Sequence, residues 1–226
     1  MKRAKNFAMV LAIMGLAKVA CGGILIAPVM TVSDGINPTV IVLDNTSHDL
    51  NSGVGIITVS TNIGVWTLSI STGVTAPALG SFTNPVMDLV IQASSIGAGS
   101  LTYTFSDIGY SGKGTANAGL SGQVISGAPA TVGYSVYGST TDVTNALTTL
   151  LASTGPSSLP IATSASGVDN LTGPYSLTQV VQINASGASS VSIDASLNVV
   201  PEPAAAELAG LGVAFLAVFA ARRRRA

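Results

Sequence analysis

Between Ser190 and Val200 apolar and polar side chains alternate without a break. Val191, Ile193, Ala195, Leu197 and Val199 fall on one side, and Ser192, Asp194, Ser196 and Asn198 on the other. A period of two marks a strand with one buried face. Tyr175, Leu177, Val181 and Ile183 form a similar stripe interrupted by Gln179, and Leu101, Tyr103, Phe105 and then Val132, Tyr134, Val136 repeat it. Further strands are predicted over 26–32, 39–44, 55–60, 65–71, 87–94, 122–126 and 159–164, several of them separated by turn signals such as Ser33-Asp34-Gly35 and Ser186-Gly187. Over 142–153 the apolar residues Val143, Leu147, Leu150 and Leu151 recur at helical spacing, so helix and strand stand level there. About ten to eleven short strands with polar outer faces predict an all-β fold, a single antiparallel β-sandwich. No repeat of fixed period emerges, which counts against a solenoid or propeller. The Thr-x-Thr step at 102–104 does not recur in register as an ice-binding face requires.

Both ends of the chain break this pattern. A basic start, Met1-Lys2-Arg3-Ala4-Lys5, leads into an apolar stretch over 7–17, the layout of a secretory signal peptide, assigned to residues 1–22. At helical rise that stretch covers about 16 Å, too short for a permanent span. Cys21 offers a second reading as a lipoprotein cysteine, against which Lys18 stands where such a signal wants leucine. At the other end, residues 200–226 hold Pro201-Glu202-Pro203, a stretch over 204–221 that is apolar except for Glu207, and Arg222-Arg223-Arg224-Arg225. The prolines stop a strand and keep the chain extended. The apolar stretch, with about 27 Å of helix, is a thin transmembrane span, and the arginines hold its end in the cytoplasm. The predicted ectodomain is therefore 23–199, translocated between two cytoplasmic ends.

This tripartite tail resembles the PEP-CTERM sorting domain of Gram-negative, matrix-producing bacteria. The resemblance implies that an exosortase-type transpeptidase in the membrane recognises Pro201, Glu202 and Pro203, with Glu202 as the recognised acid, cleaves nearby and sends the body to the cell surface or extracellular matrix. An uncut single-span anchor is the alternative. The segment from Gly173-Pro174-Tyr175 to Val199 looks like the final hairpin of other ectodomains carrying such tails, and implies no activity.

Charge is scarce in the ectodomain. It has eight aspartates (34, 44, 49, 88, 107, 142, 169, 194), the single base Lys113, and neither glutamate nor arginine, so it carries about −7. An acidic, arginine-free surface excludes nucleic acid as a partner class. With Cys21 at the signal boundary, the ectodomain has no disulfide framework. Its one histidine, His48, lies in the polar run from Asp44 to Asn51, where Asp44 and Asp49 are weak calcium candidates and a plain surface loop is the competing reading. No cofactor is indicated. Gly109-Tyr110-Ser111-Gly112-Lys113-Gly114 lacks the ending of a phosphate loop and reads as a hairpin. No Gly-x-Ser-x-Gly elbow occurs. Trp66 reads as core before it reads as a sugar-stacking aromatic, and the sequons at Asn45, Asn170 and Asn184 carry no weight in a bacterium.

Three functions follow. The first is a structural or adhesive surface or matrix protein, associated with exopolysaccharide or biofilm. The second is a carbohydrate-binding module, which needs Trp66 or tyrosines 103, 110, 134 and 137 on an exposed flat face. The third is a hydrolase, which needs two aspartates meeting in a shared cleft.

Overall fold

The computed structural model describes residues 28–201 apart from Gly112. The signal segment 1–22, Glu202, Pro203, the apolar stretch 204–221 and Arg222 to Arg225 lie outside the described residues. The first seven strands are β1 (Val29–Ser33), β2 (Val40–Leu43), β3 (Ile56–Ile63), β4 (Trp66–Val74), β5 (Gly80–Ser81), β6 (Asn84–Ser95) and β7 (Gly99–Tyr110). They are followed by β8 (Gly114–Gly127), β9 (Ala130–Ser139), β10 (Thr149–Ser153), β11 (Ser157–Ser158), β12 (Ile161–Asp169), β13 (Tyr175–Ala185) and β14 (Ser189–Pro201).

Two seven-stranded antiparallel sheets face each other. The front sheet runs β10-β9-β13-β7-β1-β2, with β11 beside β9, and the back sheet runs β12-β8-β14-β6-β4-β3, with β5 beside β6. The alternation seen in the sequence decides which side chains fill the gap. Val191, Ile193, Ala195, Leu197 and Val199 of β14 meet Tyr103 and Phe105 of β7, Val132, Tyr134 and Val136 of β9 and Val181 and Ile183 of β13 in one buried cluster. Burying each large apolar side chain contributes about 1.5–3 kcal/mol, and the pleat delivers them to one side in every strand.

Two predicted hairpins are instead crossings between sheets. β7 pairs with β1 and β13 while β8 pairs with β12 and β14, so 111–113 carries the chain from front to back. Likewise 186–188 links front strand β13 to back strand β14. Turn residues report a reversal of direction, not the sheet the next strand joins. Over 142–153 there is no helix. Asp142 and Asn145 take left-handed φ of 50° and 60°, which a helix does not admit, and the chain then enters β10.

Gln179, the interruption in the β13 stripe, points inward with its neighbours and is fully buried. Its Nε2 donates to the Tyr134 hydroxyl at 2.6 Å and, at 3.4 Å each, to the Met87 and Ala195 carbonyls of the opposite sheet. In β4 a bulge between Leu68 and Ile70 turns Ile70 outward and Ser71 inward. The Ser71 hydroxyl there hydrogen-bonds the Tyr103 hydroxyl at 2.8 Å.

The sandwich has two unlike ends. At one, three tight connections, 96–98, 128–129 and 186–188, arch between the sheets and bond to one another. Ala128 N–H donates to Ala188 O at 2.8 Å, Ser186 N–H to Pro129 O at 3.1 Å, and Ser95 Oγ to Gly187 O at 3.1 Å. At the other end the chain enters at Pro28 and leaves at Pro201, which sits opposite Gly114. Asp44, next to Pro28 through its own N–H, lies at that end together with Asp107 and Asp169.

Candidate functional site

The aromatics are in the core. Trp66 is 1 % exposed and donates its indole N–H to Ser100 O at 3.0 Å. Tyr103, Tyr110 and Tyr134 are equally buried, and Tyr137 is half-buried on the outside of β9. No flat exposed platform is built from them. Phe82, 39 % exposed, leans on Tyr110 with ring centroids 5.9 Å apart.

Six of the eight ectodomain aspartates tie up loops or core polar groups. Asp34 accepts the N–H groups of Ile36 and Asn37 on Oδ1, at 3.0 and 2.8 Å, and the Asn37 side-chain amide on Oδ2 at 2.6 Å. Asp49 accepts the N–H groups of Asn51 and Thr58 on Oδ1, each at 2.9 Å, and that of Asn45 on Oδ2 at 3.1 Å. Asp44, 5 % exposed, accepts Gly55 N–H at 2.9 Å on Oδ2, while its Oδ1 is buried without a partner. These two calcium candidates thus knit their own loop, with His48 exposed on it, and among the described residues no three acids, histidines or cysteines are grouped as a metal site. Asp107 accepts its neighbour Ile108 N–H at 2.8 Å, and on its other oxygen the hydroxyls of Thr75 and Tyr110, each at 3.2 Å. Thr75 and Tyr110 also hydrogen-bond each other. Burial pushes the Asp107 carboxyl up to about 6, and burial pushes Asp44 up as well. Asp169 caps Leu171 N–H at 3.1 Å. Burial, then the charge of Asp169, pushes the Tyr175 hydroxyl up. Asp142 Oδ1 accepts Gly109 N–H at 2.7 Å across a loop.

The remaining constellation is on the outer face of the back sheet. Register sets Asp194 of β14 opposite Val90 of β6, and Ser196 opposite Asp88. Asp194 and Asp88 are therefore diagonal neighbours on the same face. Partial burial first, then the charge of Asp194, push Asp88 up to about 6. Beside them, along β8, run two adjoining hollows that share Ser121 and Asp194. One, of about 310 Å³, adds Gly122, Gln123, Pro160, Ile161 and Ser192. The other, of about 230 Å³, adds Gly119, Leu120, Ala162, Thr163 and Ser196. The hollow exists because β8 carries glycine at 119, where a Cβ would stand 2.8 Å from Ser196 Oγ, and small residues beside it.

Chemically this is a hydrogen-bonding surface. Two aspartates stand diagonally across β14 and β6 on this face and present their carboxyls on the same side of the sheet. Nothing in the sequence announces the pair, because Asp88 and Asp194 stand 106 positions apart and only strand order brings them together.

No known protein family and no curated protein matches the chain. Solved structures give faint likenesses. The carbohydrate-binding module TmCBM61, solved in complex with β-1,4-galactotriose, aligns over 58 % of this chain and 86 % of its own at 10 % identity and a TM-score of 0.31. The enzymatically active domain of tailspike protein 4 of bacteriophage CBA120 aligns over 62 % and 20 % at 13 % identity and a TM-score of 0.30. A carbohydrate-binding module of the β-sandwich superfamily with promiscuous specificity aligns over 74 % and 70 % at 17 % identity and a TM-score of 0.31. Scores this low carry no conclusion about what the chain binds.

Proposed function

We propose that the protein is a non-catalytic structural or adhesive component of the cell surface or extracellular matrix, delivered there through its tail. The sandwich is the working body, and Pro201-Glu202-Pro203 with the apolar stretch and Arg222 to Arg225 is the address. The observation that carries this reading is the position of Pro201, the first residue of the proposed recognition sequence: it is exposed and pairs with Gly114, the first residue of β8, at the end of the sandwich. The two prolines of the motif cannot continue a paired strand, which suits a sequence that an enzyme in the membrane has to reach. The body suits the role: apart from Asp88 and Asp194 its aspartates are spent on loops and core, as Trp66 and tyrosines 103, 110 and 134 are on the core, and its outer faces are hydroxyl- and amide-rich.

The test is the intact mass of the protein recovered from cells with and without the exosortase-type transpeptidase. The expected result is a species lacking the arginine tail when the enzyme is present, and the tail retained when it is absent. Recovery of the chain through Arg225 in both strains overturns the sorting role and leaves a simple anchor.

A further inference from the structure

We infer that the double hollow along β8 is a binding site for a neutral, hydroxyl-rich oligosaccharide, a reading that rests on the envelope role above for the ligand's setting. Its lining is matched to polyols. Ser121, Ser192, Ser196 and Thr163 each present a hydroxyl that both donates and accepts, Gln123 supplies an amide that does the same, and Asp194 accepts only. A sugar ring offers adjacent hydroxyls in both senses, so a carboxylate flanked by hydroxyls can take two of them at once. Gly119 to Gln123 extend about 13 Å along the strand, which makes the hollow a short trough instead of a point site. Pro160 and Ile161 give one end an apolar wall for a sugar's C–H face.

Charge selects the class. The sole base of the ectodomain, Lys113, lies on the connection before β8, away from the trough. Nothing there neutralises a phosphate, sulfate or uronate, while Asp194 and Asp88 repel one. Lacking a stacking aromatic, the trough relies on hydrogen bonds traded against water, so single-site affinity is weak and dense display on a surface supplies the retention.

The test uses the full chain purified in detergent on an array of neutral and uronic oligosaccharides. Retention on neutral members and none on uronic ones is expected. Gly119→Gln, which fills the trough, and Asp194→Asn are each expected to lower the retained signal at least tenfold, while Gln182→Ala on the outer face of the front sheet leaves it unchanged. Thermal melts of the variants check folding. Retention on no neutral member, or equal retention by both trough variants, overturns the site. Since sorting is read by mass in cells, either result here leaves that test standing.

Discussion

The two ends of the sandwich solve one problem with different chemistry. Wherever strands turn, backbone N–H and C=O groups lose their ladder partners and must be bonded some other way. The arched end does this with main chain and serine hydroxyls: Ser95 Oγ gives to Gly187 O and takes Ser189 N–H at 3.2 Å, and Ser186 Oγ gives to Pro129 O at 2.8 Å. The opposite end uses carboxylates, placing Asp44, Asp107 and Asp169 almost out of reach of water. Neutral bonds hold at any pH. Buried acids tie the stability of their end to proton uptake.

The sharpest way to break the arched end is Gly127→Ala. Gly127 has a φ of 96°, and a Cβ there would lie 2.3 Å from Ala188 O, so backbone must move. A loss of about 3 kcal/mol is expected in urea unfolding, independent of pH.

Asp107→Asn probes the acid end with the opposite sign. In the folded chain Asp107 holds its proton to about pH 6, against an ordinary value of 3.8. The stability linked to that proton is complete below pH 4 and is lost as the pH rises through 6. Asparagine keeps the shape without the charge. The variant is expected to gain about 1–2 kcal/mol at pH 7 and nothing at pH 4, measured by unfolding at the two pH values. A variant no more stable than the parent at pH 7 would equate the two ends.

Ser95→Ala is the mildest. It removes one hydroxyl that serves two partners, and a loss of about 1 kcal/mol, equal at pH 4 and pH 7, is expected from the same measurement.

Much of this architecture was legible in the residues. All eleven predicted strands form; four of them carry a clear alternating stripe, and even Gln179 proves to lie in the buried row it seemed to interrupt. Strands β5 and β11, with two residues each, are too short to leave a pattern. The change of sheet at 111–113 and 186–188 left none either, since the side chains that make a turn are the same in both cases. The bulge that puts Ser71 inside in place of Ile70 depends on pairing with β6. The trough was hidden for the same reason: Gly119, Ser121, Asp194 and Asp88 become neighbours through a strand order that no local period encodes. Trp66, Asp44 and Asp49 stood out in the sequence as chemically interesting residues, and the fold uses them for packing and loop closure.

The course of β14 has a mechanical consequence. The strand lies between β8 and β6 and is paired with both from Ser189 to Asn198, with one shift of register against β8 between Ser190 and Val191. Tension applied where the chain leaves at Pro201 acts along this strand, parallel to its two neighbours, so the cross-strand bonds on both flanks are loaded together in shear instead of being peeled one by one. A pull on this strand grips the body at the middle of its sheet.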